Sequence, residues 1–164
     1  VICPAKINNE IKIKAEALAL EVSKKLKHVG LLAIELFITE TGEVLVNEVA
    51  PRPHNSGHLT IESSFTNQFE QHIRSILNLP LGISKSKIPA VMVNLVGKKD
   101  NFGPVNYKNI DQILAIDGVT PHIYGKKETR PFRKMGHVTI VNKSLNEARK
   151  IAEEVKSIIE VISK

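Results

Sequence analysis

The segment between Asn47 and His58 concentrates side chains that can do chemistry. It reads Asn-Glu-Val-Ala-Pro-Arg-Pro-His-Asn-Ser-Gly-His and so combines a carboxylate, an arginine, two histidines, carboxamides and a hydroxyl. Pro51 and Pro53 are too closely spaced for a strand interior, and Gly57 permits a sharp turn. The sequence therefore predicts a stiffened loop that leaves a strand and holds a ligand. A solvated surface turn is the alternative.

Two glutamates, Glu35 and Glu48, form a candidate site for a divalent cation. A two-residue turn at Thr41-Gly42 would join strands over residues 31–38 and 43–49 and place Glu35 directly opposite Glu48. Directly opposed side chains share a face about 5 Å apart at Cβ, and two carboxylates so close need a proton or a cation between them. Hard oxygen ligands beside phosphate groups suit Mg²⁺. Because Glu35 interrupts an apolar run, we expect its surroundings to be partly dry.

Two asparagines lie near this predicted metal site. Side-chain alternation directs Asn47 to the face opposite that of Glu48, whereas Asn55 can return from the loop and supply a neutral oxygen. A bulged turn would shift the pairing by one residue, and an exposed hairpin with two solvated glutamates is a further alternative.

A second group of candidates lies late in the chain. Five cations fall between Lys126 and Lys134, and Pro131 with Gly136 indicates a shaped turn between two strands. Arginine binds phosphate through paired hydrogen bonds, and lysine acts as a point charge. The loop predicts a clamp for a phosphomonoester or a polyphosphate, although a solvated charge run explains the same pattern equally well.

The elements that must position these residues follow from apolar periodicity. A helix capped by Asn8 or Asn9 and ending near Leu26 precedes the hairpin, and a second helix over residues 61–77 follows the loop. On that second helix, His72 and Arg74 are expected to face solvent.

The second half of the chain is predicted to contain short strands and a terminal helix. The predicted elements are a linker at 84–87, strands at 90–96, 122–124 and 137–141, a polar loop at 98–109 and a short helix at 110–116. Ser144 and Glu147 form a capping box for a helix whose apolar stripe extends to Ile162. We therefore divide the chain into a domain of residues 1–82 and a β-rich domain of residues 83–164.

Composition limits the class of protein. The 164 residues are 42% apolar, which suffices for one core or two small lobes, and no apolar run is long enough to span a bilayer. A net charge of +6 with only 4% aromatic residues favours small anions over nucleic acid. The single cysteine, Cys3, fits a reducing, cytoplasmic setting. Because the chain starts within a predicted strand and without methionine, we expect it to be part of a longer protein.

Three stretches carry a resemblance to a known family. Residues 47–58, residues 63–81 with Gln68-Phe69-Glu70-Gln71-His72, and the run from Arg133 to His137 resemble the N5-carboxyaminoimidazole ribonucleotide synthetases of purine biosynthesis, which are biotin-independent ATP-grasp enzymes. The resemblance covers essentially the whole chain but only the C-terminal part of such an enzyme. The family's N-terminal domain and its ATP-gripping lobe have no counterpart here.

The resemblance implies an α+β fold. We expect the C-terminal half of an ATP-grasp domain, with an antiparallel sheet and helices, followed by a small β-rich C-terminal domain with a terminal helix.

The resemblance also implies an ATP-dependent carboxylating ligase. In the family's reaction, ATP phosphorylates bicarbonate to carboxyphosphate, and the amine of 5-aminoimidazole ribonucleotide takes the carboxyl group to give N5-carboxyaminoimidazole ribonucleotide. ATP and Mg²⁺ are the implied cofactors, and the partners are these small molecules rather than nucleic acid or membrane. We expect a homodimer for the full-length enzyme and no activity for this chain alone.

The site residues implied by the resemblance fall into four groups. Glu35 and Glu48 match the family's Mg²⁺ ligands, and Asn47 and Glu48 match its ATP contacts. The loop that faces bicarbonate and the ribonucleotide is matched by Arg52, His54, Asn55 and Ser56. The contacts to the 5′-phosphate are matched by Lys126, Arg130, Arg133 and Lys134. Whether Lys126 or Lys127 binds the phosphate is left open.

Two rival functions are weighed against this one. The formate-dependent glycinamide ribonucleotide transformylase resembles the loop, but it has Asp-Thr where this chain has Asn55-Ser56. A non-catalytic anion-binding module is a rival of another class, and the intact Glu35 and Glu48 argue against it.

Overall fold

A computed structural model describes residues 1–164, and the chain forms two compact units. The first unit is Ala5–Ser86, and the second is Lys87–Lys164 together with Val1–Pro4. None of the helices is both long and apolar enough to cross a membrane. The domain division at residues 1–82 and 83–164 stays a prediction, because a compact unit does not define where a family domain begins.

Helices and antiparallel strands are mixed throughout the chain. The helices are α1 Asn9–Leu26, α2 Thr60–Ser63, α3 Gln68–Ile76, α4 Ile110–Leu114 and α5 Leu145–Ile158, and the strands are β1 Ile2–Cys3, β2 Ala33–Ile38, β3 Val44–Ala50, β4 Ala90–Val96, β5 Gly103–Lys108, β6 Val119–Ile123, β7 Glu128–Thr129, β8 Lys134–Val141 and β9 Glu160–Ser163.

The α1 helix begins and ends as its sequence predicts. The side chain of Asn8 accepts a hydrogen bond from the backbone N–H of Ile11 at 2.8 Å, which satisfies one of the donors left open at a helix start. At the other end, Lys27 adopts a left-handed conformation with φ 49°. Lys24 and Lys25 lie in the last turn, where positive charge is favourable beside the helix dipole.

The β2–β3 hairpin has a longer turn than predicted. Thr39 closes it, because its backbone N–H donates to Glu43 O at 2.9 Å and its carbonyl accepts from Gly42 N at 3.0 Å. Residues 40–42 therefore form a three-residue loop. Gly42 lies at φ +80°, the left-handed position that this kind of loop requires at its end.

The helix predicted over residues 61–77 is wrong as a single element. It is interrupted at Ser64, which is extended at φ −114° and ψ 156°. The next two residues pair with the 83–85 stretch, since Phe65 N donates to Lys85 O and Thr66 N donates to Ile83 O, both at 3.2 Å. Asn67 then starts α3, with its side chain accepting from two backbone N–H groups at 3.0 Å. Apolar residues continue at helical spacing on both sides of Ser64, so the sequence pattern does not reveal the break.

The second unit contains two antiparallel sheets. Strands β1, β4, β8 and β6 form one sheet in that order, and β7, β5 and β9 form the other. Helix α5 packs on β4 and β8, as predicted for the terminal helix. Its buried side chains are Ala148, Ala152 and Val155, and they join a core that includes Val138 and Ile140.

Two predictions for the second unit are wrong. The polar loop predicted at residues 98–109 contains β5, which pairs with β9 through Val105 and Ser163. The predicted terminal helix is too long, because α5 ends at Ile158 and the last apolar residues form β9 instead. A few apolar residues at the end of a helical stripe are compatible with both helix and strand periodicity. Pairing with the partner strand makes these residues a strand.

Candidate active site

Glu35 lies directly opposite Glu48, as predicted, but the register is reached differently. Near the turn Leu36 pairs with Val46, one residue away from its predicted partner. A β-bulge then inserts Asn47 into β3 and restores the predicted pairing from Glu35 onward. Directly opposed residues of an antiparallel pair present their side chains on one face. The two glutamates therefore share a face of the hairpin.

The bulge also changes the position of Asn47. Its Nδ2 donates to Oε2 of Glu35 at 3.3 Å, so the predicted orientation away from the glutamates is wrong. An inserted residue breaks the two-residue alternation on which that prediction relied. A carboxamide consequently lies beside the paired carboxylates.

The paired carboxylates are wetter than expected. The side chain of Glu35 is 43% exposed, and Glu48 is exposed as well. No three His, Cys, Asp or Glu side chains converge into a metal cage. Two carboxylates with a nearby carboxamide fit Mg²⁺, which commonly takes one or two carboxylates and completes its shell with water and substrate phosphates. The residues present therefore suit a cation shared with a phosphorylated ligand.

His54 lies against Glu35. Its Nδ1 is 3.7 Å from Oε1 of Glu35 and 2.9 Å from Oγ of Ser56, and its side chain is 16% exposed. A protonated ring would form an ion pair with the carboxylate, and a neutral ring donates to or accepts from the Ser56 hydroxyl according to its tautomer. The fold thus brings together three of the predicted site residues, Glu35, His54 and Ser56.

The remaining two residues of the predicted loop site lie beside this group in sequence. Arg52 is exposed, and its Nη1 donates to the carbonyl of Pro53 at 3.0 Å. Asn55 is half-buried and begins a single 3₁₀ turn, Asn55–Gly57. The role of Asn55 as a metal ligand stays a prediction.

Sequence reasoning missed Gln68, which supports the loop from α3. Gln68 is only 6% exposed, and its side-chain amide bonds to the backbone of His54. No periodicity distinguishes it from a solvated helix residue. The one available signal was its place within the family-like run from Gln68 to His72.

His72 also differs from prediction. It was expected to face solvent, yet its Nδ1 accepts from the backbone N–H of Leu31 at 3.0 Å. A Cβ on Gly30 would lie 2.9 Å from the His72 ring, so the chain approaches α3 closely there. His72 therefore holds the start of the hairpin against α3.

The basic loop of the second unit forms a shaped turn, as predicted, although it includes the unexpected short strand β7. Arg133 N donates to Arg130 O at 3.1 Å, and Phe132 between them lies at φ +61°. The guanidinium of Arg133 donates from Nη1 to the carbonyl of Glu128 at 2.8 Å. Arg130 is exposed, whereas Arg133 is half-buried.

Of the two neighbouring lysines, Lys126 is half-buried and its side chain makes two contacts. Its Nζ donates to Lys134 O at 2.6 Å and lies 5.8 Å from the centre of the Tyr124 ring. Lys127 is exposed, and its carbonyl accepts from the backbone of Val105. Lys134 is exposed too.

A histidine pair adjoins Lys126 through Tyr124. The hydroxyl of Tyr124 is 3.0 Å from Nδ1 of His137, a residue that is only 2% exposed. His122 lies opposite His137 on the neighbouring strand, with ring centres 4.5 Å apart and nearly parallel planes. Sequence reasoning missed this cluster because it depends on the register between β6 and β8.

Two family comparisons match successive parts of the chain. The ATP-grasp domain matches residues 1–69, and the phosphoribosylaminoimidazole carboxylase C-terminal domain matches residues 90–151. These matches agree with the mixed antiparallel fold and place the chain in the ATP-grasp class, with part of an ATP-grasp domain followed by the phosphoribosylaminoimidazole carboxylase C-terminal domain. The predicted fold class is confirmed.

Individual relatives narrow this class. N5-carboxyaminoimidazole ribonucleotide synthase of Bacillus subtilis is 45% identical over 146 residues, covering 89% of this chain and 37% of the relative. The crystal structure of the synthetase from Thermotoga maritima is 50% identical with a TM-score of 0.96, covering 99% of this chain and 45% of that one. The Aspergillus clavatus synthase in complex with ADP and 5-aminoimidazole ribonucleotide is 29% identical with a TM-score of 0.85. The match covers 95% of this chain and 42% of the Aspergillus chain.

The chain belongs to the N5-carboxyaminoimidazole ribonucleotide synthetase family, so the resemblance found in its sequence is confirmed. It spans less than half the length of each of these relatives.

Proposed function

We propose that this chain is the C-terminal portion of a ligase that uses ATP to carboxylate 5-aminoimidazole ribonucleotide with bicarbonate, through carboxyphosphate. The product is N5-carboxyaminoimidazole ribonucleotide. The observation that supports this most directly is the opposed pair of Glu35 and Glu48 with His54 beside it. Family membership supplies the choice of reaction.

In the proposed enzyme, Glu35 and Glu48 hold Mg²⁺, and Asn47 with Glu48 contacts ATP. When bound, Mg²⁺ neutralises the charge that develops on the phosphates during phosphoryl transfer. The contact between Asn47 and Glu35 holds that carboxylate in one orientation before the cation arrives. Because the two carboxylates lie on one face of the hairpin, both would be available to the same cation.

The loop after β3 is proposed to handle bicarbonate and the labile anhydride. Arg52 is exposed and positively charged, so it can stabilise the anionic carboxyphosphate. His54 can accept or return a proton at Nδ1, where Ser56 and Glu35 are its neighbours. Asn55 and Ser56 add polar groups that orient the small substrate.

The basic loop of the second unit is proposed to recognise the 5′-phosphate of the ribonucleotide. Lys126 and Arg133 are half-buried and anchored to carbonyls, so their cationic groups are partly ordered before a ligand binds. Arg130 and Lys134 are exposed on the same loop and add positive charge. Of the neighbouring lysines, we assign the phosphate contact to Lys126.

The test is ADP formation by the full-length protein that contains this chain. We expect ADP release to require both 5-aminoimidazole ribonucleotide and bicarbonate, with ¹³C from labelled bicarbonate appearing in the product. ADP release that depends on formate instead would contradict the proposal and favour the transformylase reaction. The isolated 164-residue chain should show no ATP hydrolysis. A homodimeric full-length enzyme in the cytoplasm completes the proposal.

A further inference from the structure

The start of α3 holds the loop between His54 and His58 through a single buried side chain, that of Gln68. Its Oε1 accepts from the backbone N–H of His54 and its Nε2 donates to the backbone carbonyl of His54, both at 2.9 Å. These paired bonds imitate the exchange between neighbouring β-strands. Because Gln68 is only 6% exposed, water does not readily replace them.

A third bond from the same amide fixes the proton on a histidine ring. Nε2 of Gln68 lies 2.7 Å from Nδ1 of His58. The bond from His54 N–H identifies Oε1 as the acceptor, so Nε2 must be the donor to both other partners. Nδ1 of His58 is therefore the acceptor, and the ring carries its proton on Nε2.

The loop also packs closely on the Gln68 amide at Gly57. A Cβ added to Gly57 would lie 2.5 Å from Oε1 of Gln68. The hydroxyl of Thr60 also links the backbones of these two residues, since it donates to Gly57 O at 2.5 Å and accepts from Gln68 N at 3.0 Å. A side chain at position 57 would therefore displace the Gln68 amide.

This arrangement controls where the His54 ring lies. The ring is 3.7 Å from Glu35 and 2.9 Å from Ser56, and its backbone is held on both sides by one amide. We propose that Gln68 is a positioning residue that fixes His54 beside Glu35 and holds His58 in the Nε2–H tautomer. This inference deepens the proposed function and rests on it for its catalytic consequence.

The chain offers a matched control in Gln71. Its side chain makes the same pair of bonds to another backbone, with Nε2 donating to Gly82 O at 2.8 Å and Oε1 accepting from Gly82 N at 3.0 Å. Gln71→Met therefore removes the same kind of loop anchor away from the two histidines. Gln68→Met removes the anchor that positions them.

Both variants are measured in the full-length protein. We expect Gln68→Met to lower kcat for ribonucleotide- and bicarbonate-dependent ADP release by about 10- to 100-fold, the effect of a small misplacement of a reacting group. Its KM for ATP should stay unchanged, and Gln71→Met should keep kcat near that of the unsubstituted protein. Equal kcat values in the two variants would overturn the proposal. If Gln68→Met does not fold, Gly57→Ala displaces the amide without removing it and should give the same loss of kcat.

A spectroscopic measurement separates this inference from the proposed function. The ¹⁵N chemical shifts of His58 in the unsubstituted full-length protein should report the proton on Nε2, whatever reaction the protein catalyses. A proton on Nδ1 would overturn the assigned role of Gln68 even if carboxylation is observed. Conversely, absence of carboxylation with the Nε2–H tautomer intact would contradict the proposed function and still support the contact between Gln68 and His58.

Discussion

Asn47 donates from Nδ2 to Oε2 of Glu35 at 3.3 Å, across a hairpin in which regular alternation would have separated the two side chains. The contact exists because Asn47 is the inserted residue of a β-bulge. Both side chains are accessible to solvent, so the bond adds little to folding stability. Its consequence lies in the orientation of a carboxylate that we propose binds Mg²⁺.

Replacing Asn47 with alanine should therefore affect ligand use more than folding. In the full-length protein, we expect Asn47→Ala to raise the KM for Mg·ATP about fivefold, which corresponds to roughly 1 kcal/mol. The thermal midpoint should stay unchanged. Steady-state kinetics with thermal denaturation of the same samples decides this, and an unchanged KM would argue against a ligand-orienting role for the amide.

Lys126 and Lys127 form a second matched pair. Lys126→Met should raise the KM for 5-aminoimidazole ribonucleotide by about 10- to 100-fold, the effect of losing one charge-assisted hydrogen bond to phosphate. Lys127→Met removes the same charge from an exposed neighbour and should change the KM little. The reverse order of effects would reassign the phosphate contact to Lys127.

Phe132 occupies a backbone conformation that disfavours its side chain. It lies at φ +61° and is 74% exposed, so the ring gains little burial in return. We expect Phe132→Gly to raise stability by about 1 kcal/mol, because glycine adopts the left-handed region without a Cβ clash. Thermal denaturation measures the gain.

Asn109→Gly is the control for this prediction. Asn109 has nearly the same φ, +63°, but its Nδ2 donates to Ile158 O at 2.8 Å. The substitution removes that bond and should lower the thermal midpoint. A gain of stability at both positions would contradict the role assigned to the Asn109–Ile158 bond, and a loss of stability in Phe132→Gly would contradict the strain argument.

Glu160 makes the stability of the second unit sensitive to acid. Its hydrogen bond from Lys98, with the charges of Lys98 and Lys108, holds the pKa of this carboxyl below its ordinary value of 4.5. A lowered pKa in the folded state adds stability above pH 4.5, and this contribution is lost as the pH falls through the folded-state pKa. The effect is small because the groups are partly solvated.

The measurement compares thermal midpoints across pH. Glu160→Gln should unfold at a lower temperature than the unsubstituted protein at neutral pH, and the difference should shrink as the pH falls below 4.5. Glu153→Gln is a suitable control, since Glu153 pairs only with Lys156 on the surface of α5 and is 74% exposed. A difference that grows in acid would contradict the assignment.

Local signals predicted the parts of the fold that depend on neighbouring residues. Asn8 and Ser144 cap their helices as expected, because a side-chain acceptor needs only the next turn of backbone. The β4 strand, residues 90–96, coincides with its apolar run. The opposed glutamates were found from the hairpin register, although a longer turn and the Asn47 bulge offset each other. That agreement depended on two compensating errors.

The features that sequence reasoning missed depend on distant partners. The β5 strand has a polar, proline-containing sequence and becomes a strand because β9 and β7 pair with its two edges. The role of Gln68 depends on the packing of the loop at His54 against α3. The contact between His122 and His137 requires the β6–β8 register. No local pattern contains such information.

We propose that Glu35 and Glu48 hold one divalent cation between them. The most direct test of this proposal is a Mg²⁺ titration of ATP turnover by full-length Glu48→Gln, with Glu43→Gln on the same hairpin as control. We expect Glu48→Gln to lower turnover by about 100-fold or more at any Mg²⁺ concentration, and Glu43→Gln to follow the unsubstituted curve. A Glu48→Gln enzyme with a near-normal rate and Mg²⁺ dependence would contradict the claim.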